Sequence, residues 1–274
     1  MTTVASLRDR YLEVQERIAR SAERSGRRPE DIILVAVTKY AEPDQIRELV
    51  QMGHIDFGEN KVQQLLQRAA VIDEWRARQR ALPGAARSAG ASTGQSGAAG
   101  VRWHMIGHLQ RNKVRKVLEV ARLIHSVDSL RLAEEIQAVA AKRDQVVDVL
   151  LQVNTSGEAT KFGCAVPAAR HLAEQIDTMV QVRIRGLMTM APLSDNPDDA
   201  RRAFARLREL FEEIRAAGIG ATDGRSSHFN ILSMGMSNDF EIAIEEGSNL
   251  VRVGSAIFGE PPPEMLQATG DDEA

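Results

Sequence analysis

Cysteine is all but missing: Cys164 is the only one in 274 residues, so no disulfide can form within the chain, which fits a reducing cytoplasm. Long apolar runs are missing as well. No stretch approaches the roughly 20 residues that a membrane-spanning helix requires, and Met1 to Arg28 is rich in Arg and Glu with no apolar segment of a secretion signal. There is no excess of either charge. A net charge of −3 gives no global field to recruit nucleic acid or an acidic membrane surface. A GxGxxG fingerprint after a strand is absent, which argues against an open dinucleotide-binding sheet. With 43% hydrophobic and 27% charged residues, the composition is that of a globular protein expected in the cytoplasm without membrane or nucleic-acid partners.

What is present is alternation. Leu7, Tyr11, Val14, Ile18 and Ala22 recur at helical spacing and predict an extra N-terminal helix. Short apolar runs then follow at Ile32 to Val37, His54 to Phe57, Trp103 to Ile106, Arg122 to Val127, Val147 to Val153, Val182 to Met188, Phe229 to Leu232 and Leu250 to Val253. Amphipathic segments separate them; the first starts at Pro43 and stops at Gly53. Eight strands alternating with helices in a chain of this length predict an α/β fold, a single (β/α)8 TIM barrel, over residues 1–260. Two stretches fall outside the pattern. Residues 81–100 contain 15 Ala, Gly or Ser and read as a flexible insertion, and 261–274 reads as a frayed tail.

Working groups in such barrels sit on the loops after the strands. Lys39 directly follows the first strand, where low-dielectric walls favour an amine able to attack an aldehyde; a lysine snorkelling to the rim is the alternative. Gly254 and Ser255 follow the last strand, and their N–H groups at the start of a helical turn suit a phosphate, or else form a plain capped turn. Ser237 follows the seventh strand and can add a hydroxyl to that phosphate, or cap a helix beginning near Asn238. Arg252 lies within the eighth strand and needs a partner, either a pyridine nitrogen or a carboxylate such as Glu59. His104 and His108 are four apart, but Gly107 stands between them and no metal site is expected. The cluster Arg111, Lys113, Arg115 and Lys116 reads as a solvated helix face, and Cys164 as unreactive.

Together, Val35 to Lys39, Phe57 to Asn60, Trp103 to Gln110, Asn154 to Gly163, Gly186 to Met188, Leu232 to Asp239 and Val251 to Gly259 resemble the pyridoxal phosphate homeostasis proteins, also called the proline synthase co-transcribed family. The resemblance implies a barrel like the N-terminal domain of alanine racemase, with pyridoxal 5′-phosphate as cofactor on a Schiff base at Lys39. It further implies Asn60 as a polar neighbour, Ser237, Gly254 and Ser255 as a phosphate cup, and Arg252 facing the pyridine nitrogen. The insertion at 81–100 and Tyr40-Ala41 depart from the family pattern. An arginine at that nitrogen has no acceptor and can only donate to it unprotonated, whereas a carboxylate accepts from the protonated form and keeps it so; carbanion chemistry is thereby weakened. Alanine racemases also add a C-terminal domain that supplies a second acid/base, and only 15 residues follow Gly259 here. The expectation is therefore a monomeric carrier of cofactor and amino-acid homeostasis, without established turnover, that can serve apo enzymes dependent on pyridoxal phosphate. The competing expectation is a weak racemase-like enzyme with Lys39 as one base and a residue such as His104 as the other.

Overall fold

In a computed structural model, which describes residues 5–81, 100–158, 161–194, 196–221 and 227–260, the strands form a closed parallel ring. Its members among the described residues are β1 (Ile33–Val37), β2 (Asp56–Glu59), β3 (Arg102–Met105), β4 (Ala121–Val127) and β5 (Val147–Asn154), then β7 (Val182–Met188), β8 (Ile231–Ser233) and β9 (Leu250–Val253). A two-residue strand, β6 (Cys164–Ala165), lies outside the ring and pairs with the end of β5. The hydrogen-bonded order runs β4-β3-β2-β1-β9-β8-β7-β5, and β4 pairs with β5 to close it. This is the (β/α)8 barrel expected from the alternation, preceded by the extra helix α1 (Leu7–Arg24).

Side chains alternate across the ring. Val35, Leu123, Leu150, Met188 and Leu250 form a small cluster inside the barrel, whereas their neighbours Ala36, Ile124, Val149, Leu187 and Val251 join the large core between strands and helices. That outer layer includes fully buried Phe57, Phe204 and Phe229, each stabilising the fold by ~1.5–3 kcal/mol through burial. Helix α2 (Pro43–Gln51) has Pro43 in its first turn and a reciprocal cap between Glu42 and Gln45, and Gly53 ends it at φ 91°.

Helix α1 starts on a capping box between Ser6 and Asp9. It buries Leu7, Tyr11, Val14 and Ile18 against α8 (Phe240–Glu245) and α9 (Ser255–Phe258), the helices flanking β9. Arg10 Nε donates to Ile257 O at 2.8 Å, and Arg17 pairs with Glu241 at 2.8 Å. The first helix thus braces the last βα unit.

Two strands are displaced from the sequence expectation by two residues and one is new; the other strand ends agree to within one residue. β2 runs two residues later, taking Gly58 and Glu59 into the ring, because Glu59 is buried with partners that a short apolar run cannot reveal. β8 begins at Ile231, since Phe229 leaves the ring to stack on Phe211 at 4.9 Å in the outer core. β6 was not expected; two residues carry no periodicity. The stretch expected as an insertion lies outside the described residues except for Ala81 and Gly100, and the expected tail lies wholly outside them. Among the described residues, no helix is long and apolar enough to cross a membrane.

Gly186 in β7 has φ 149°, and a Cβ there would stand 1.8 Å from Ile231 O in β8. Gly186→Ala should lower stability by at least ~2 kcal/mol, read from urea unfolding. Unfolding at the parent's midpoint would mean that β7 and β8 are less tightly apposed than described.

Candidate functional site

The expected site residues follow strand ends that adjoin one another in the ring. Asn60 follows β2, Lys39 follows β1, and Gly254 and Ser255 follow β9, in the order β2-β1-β9. A Cβ built on Gly254 would touch the Val37 side chain at 3.4 Å, two residues before Lys39, so the last strand end lies against the first.

Ser237, Gly254 and Ser255 come together. The Ser237 hydroxyl accepts from the N–H of Gly254 at 3.2 Å and of Ala256 at 3.3 Å, where α9 begins. It does not cap the helix after it: α8 is capped at Asp239, whose carboxylate accepts from Met236 N at 2.5 Å. Backbone donors at a helix start with a hydroxyl among them are suited to an anion's oxygens.

Arg252 lies inside the barrel, 4% exposed. Nη1 donates to Ser233 Oγ at 2.6 Å and Nη2 to Thr189 O at 2.9 Å. Burial pushes its pKa down to about 10, against the pull of Asp239, so it stays a cation at neutral pH. Glu59, the alternative partner, is elsewhere.

Glu59 is fully buried in the layer behind β1 and β2, where its Oε1 accepts from Thr38 Oγ1 at 2.5 Å and pairs with Arg68 of helix α3 (Val62–Ala81). Arg68 also donates to Thr38 O, and to Ala41 O at 3.1 Å. This ion pair clamps both sides of the turn that carries Lys39. Sequence reasoning missed Arg68, although it shares the buried face of α3 with Leu65, Ala69 and Ile72 at helical spacing.

Lys39 itself is half-buried. Its Nζ lies 5.1 Å from the centre of the Tyr40 ring and borders a cavity of about 400 Å³ that extends between α2 and α3, past Ile46, Gln64, Arg68 and Ile72. The amine is thus turned toward Tyr40 rather than held by any group of the phosphate cup. Asn60 packs tightly by its backbone, since a Cβ on Gly107 would be 2.1 Å from Asn60 O. Its side-chain Oδ1 is buried with no hydrogen-bond partner, as a ligand-facing amide would be.

The remaining candidates separate cleanly. His104 is buried inside the barrel, with Nε2 3.1 Å from Asp56 and Nδ1 2.9 Å from His125, so both ring nitrogens are engaged within the ring. His108 instead stacks on Phe162 at 4.3 Å. Among the described residues no group of three or more His, Cys, Asp or Glu is placed to hold a metal ion. Arg111, Lys113, Arg115 and Lys116 are exposed around buried Val114 and Val117. Burial, with Asp128 nearby, pushes the Cys164 thiol up to about 12, which leaves it a poor nucleophile.

A closed parallel barrel with donors after its last strand, a buried arginine below them and a lysine after its first strand defines an alanine racemase-type barrel, and the family model of the alanine racemase N-terminal domain matches residues 94–262. By sequence, the chain is 36% identical over 256 residues to the pyridoxal phosphate homeostasis protein of Aquifex aeolicus, covering 92% of this chain and 97% of that one. The chain belongs to the pyridoxal phosphate homeostasis protein family. Among solved structures it is similar to a protein of unknown function from Bifidobacterium adolescentis, with TM-score 0.78, 38% identity, and coverage of 92% of this chain and 94% of that one. It is also similar to PipY of Synechococcus elongatus with pyridoxal phosphate bound, with TM-score 0.67, 31% identity, and coverage of 88% of this chain and all of that one.

The clamp can be tested apart from any ligand. Arg68→Ala leaves the buried Glu59 carboxylate without its cation and should cost ~3–5 kcal/mol in chemical denaturation at neutral pH. Replacing both partners, R68M with E59L, should recover part of that loss.

Proposed function

We propose that this chain binds pyridoxal 5′-phosphate at the C-terminal mouth of the barrel and serves as a carrier in intracellular cofactor and amino-acid homeostasis. The observation that carries the proposal is the order of strand ends: Asn60, Lys39 and the Gly254–Ser255 turn follow three adjacent strands, with Arg252 inside the ring beneath them. The cofactor bound to PipY, 31% identical over 88% of this chain, supports it.

In this proposal the backbone N–H groups of Gly254 and Ser255 and the Ser237 hydroxyl hold the phosphate, and Ser237 exchanges its present backbone bonds for phosphate oxygens. Asn60, with its unpaired Oδ1, borders the ring. Lys39 would supply the amine that condenses with the cofactor's aldehyde, with water as the leaving group; no other residue of the set has an amine. Bound pyridoxal phosphate supplies an aldehyde for amines and, when its ring nitrogen is protonated, an electron sink. Arg252 donates to that nitrogen and gives up no proton, so the sink stays weak. With His104 enclosed, the racemase-like alternative lacks the second base it invoked. Carriage is then the better fit, with release to apo enzymes by exchange of the Lys39 amine for another. The unit doing this is the barrel, residues 1–260, acting as a monomer in the cytoplasm.

Adding pyridoxal phosphate should produce a visible absorbance band, and borohydride reduction followed by peptide mapping should find the pyridoxyl group on Lys39. Lys39→Ala should abolish the trapping and weaken retention ~10-fold or more, about 1.4 kcal/mol. Recovery of the label on another lysine would move the site. Incubation with L-amino acids in deuterated water should give no α-carbon exchange above that of free cofactor; steady exchange would make the chain an enzyme.

A further inference from the structure

Five side chains inside the barrel form one unbroken line of hydrogen bonds. Arg252 Nη1 donates to Ser233 Oγ at 2.6 Å, and Ser233 Oγ lies 3.1 Å from His125 Nδ1. His125 Nε2 is 2.9 Å from His104 Nδ1, and His104 Nε2 is 3.1 Å from Asp56 Oδ1. The line crosses from β9 through β8, β4 and β3 to β2, and all five residues are buried. At the Asp56 end it continues to Arg102, which pairs with Asp56 and has a side chain 44% exposed. Nearby, His54 bonds Asp56 O at 2.7 Å and Tyr11 of α1 at 3.1 Å.

The two ends fix its direction. Arg252 has no acceptor, so Ser233 Oγ receives a hydrogen from it. At the other end, burial raises the Asp56 carboxyl, but hydrogen bonds from His104 and Arg102 outweigh this and hold it below its ordinary value. As a carboxylate it can only accept, so His104 Nε2 carries a hydrogen. Burial, with the Arg252 cation adding to it, keeps His125 well below its ordinary value, which leaves its ring with one hydrogen. With one hydrogen on each ring, a single assignment fills every bond: Ser233 O–H to His125 Nδ1, His125 Nε2–H to His104 Nδ1, and His104 Nε2–H to Asp56. The opposite assignment demands a further buried cation at His104, in an interior that already holds Arg252.

We propose that His104, His125 and Ser233 are positioning residues for Arg252, forming a one-way relay that anchors its guanidinium and couples it to Asp56 and Arg102 at the start of β2 and β3. Thr189 O holds the other terminal nitrogen, so both are tied to the barrel wall. The side chain then stands at a fixed height below the mouth. This role rests on the assignment of Arg252 to the cofactor's ring nitrogen.

Histidine-selective 15N NMR of the full chain loaded with pyridoxal phosphate, at neutral pH, should show His104 and His125 both as neutral Nε2–H rings. An Nδ1–H ring or a cation at either position overturns the proposal. In parallel, the wavelength of the bound cofactor's visible band is compared in Ser233→Ala, Ser233→Thr and Arg252→Met. Ser233→Ala should displace it in the same sense as Arg252→Met and at least half as far, and Ser233→Thr should restore the parent value. If Arg252→Met displaces the band and Ser233→Ala does not, the relay is wrong and the Arg252 assignment stands. If neither does, the Arg252 assignment fails and takes the relay with it. Should Ser233→Ala not fold, the ring tautomers of the unmodified protein decide.

Discussion

A charge that cannot be titrated away, enclosed in a ring of apolar strands, is the constraint around which this barrel is organised. Arg252 is almost wholly buried and stays cationic at neutral pH despite the downward push of burial. Such a group is tolerable only if the protein supplies its solvation. The interior of the barrel is therefore divided. Apolar Val35, Leu123, Leu150, Met188 and Leu250 fill one part, and Ser233, Thr189, the two histidines and Asp56 fill the rest. The packing that would make a fully apolar barrel is given up where the polar line passes.

A second buried charge sits behind the same strands. Glu59 and Arg68 lie in the layer between ring and helices, while Arg252 lies inside the ring, so β1 has one arginine on each side. The turn after β1 inherits this arrangement. Its carbonyls at Thr38 and Ala41 are held by Arg68, while the Lys39 side chain extends from it to lie against the Tyr40 ring.

Much of this was legible in the sequence, and what was not had a physical reason. The parallel strands revealed themselves as runs such as Ile32 to Val37 and Val147 to Val153, because burial on both faces leaves no polar alternation to confuse them. The positions of Ser237, Gly254 and Ser255 followed from the rule that loops after strands converge. The partners of Arg252 did not follow. Ser233 meets it from the neighbouring strand β8 and Thr189 from the end of β7, and Glu59 seemed as good a choice until the alternation placed it on the opposite face of the sheet. His104 and His125 lie 21 residues apart on β3 and β4, and it is the parallel pairing of those two strands that brings Nδ1 of one to 2.9 Å from Nε2 of the other. Arg68 was hidden for another reason: a cation on the buried face of a helix reads as a flaw in amphipathicity until its carboxylate is seen.

The bracing of the last βα unit by α1 has a consequence for how the fold assembles. Ile33 pairs with Leu250, and Arg10 holds the carbonyl of Ile257, so segments far apart in the sequence fasten each other. Contacts of such long sequence separation form late, after the entropy of a large loop has been overcome. Until β9 slots in beside β1 there is no turn at 254 and no floor beneath Lys39. The mouth of the barrel is therefore not built up piece by piece; it comes into being in a single stroke when the ring shuts.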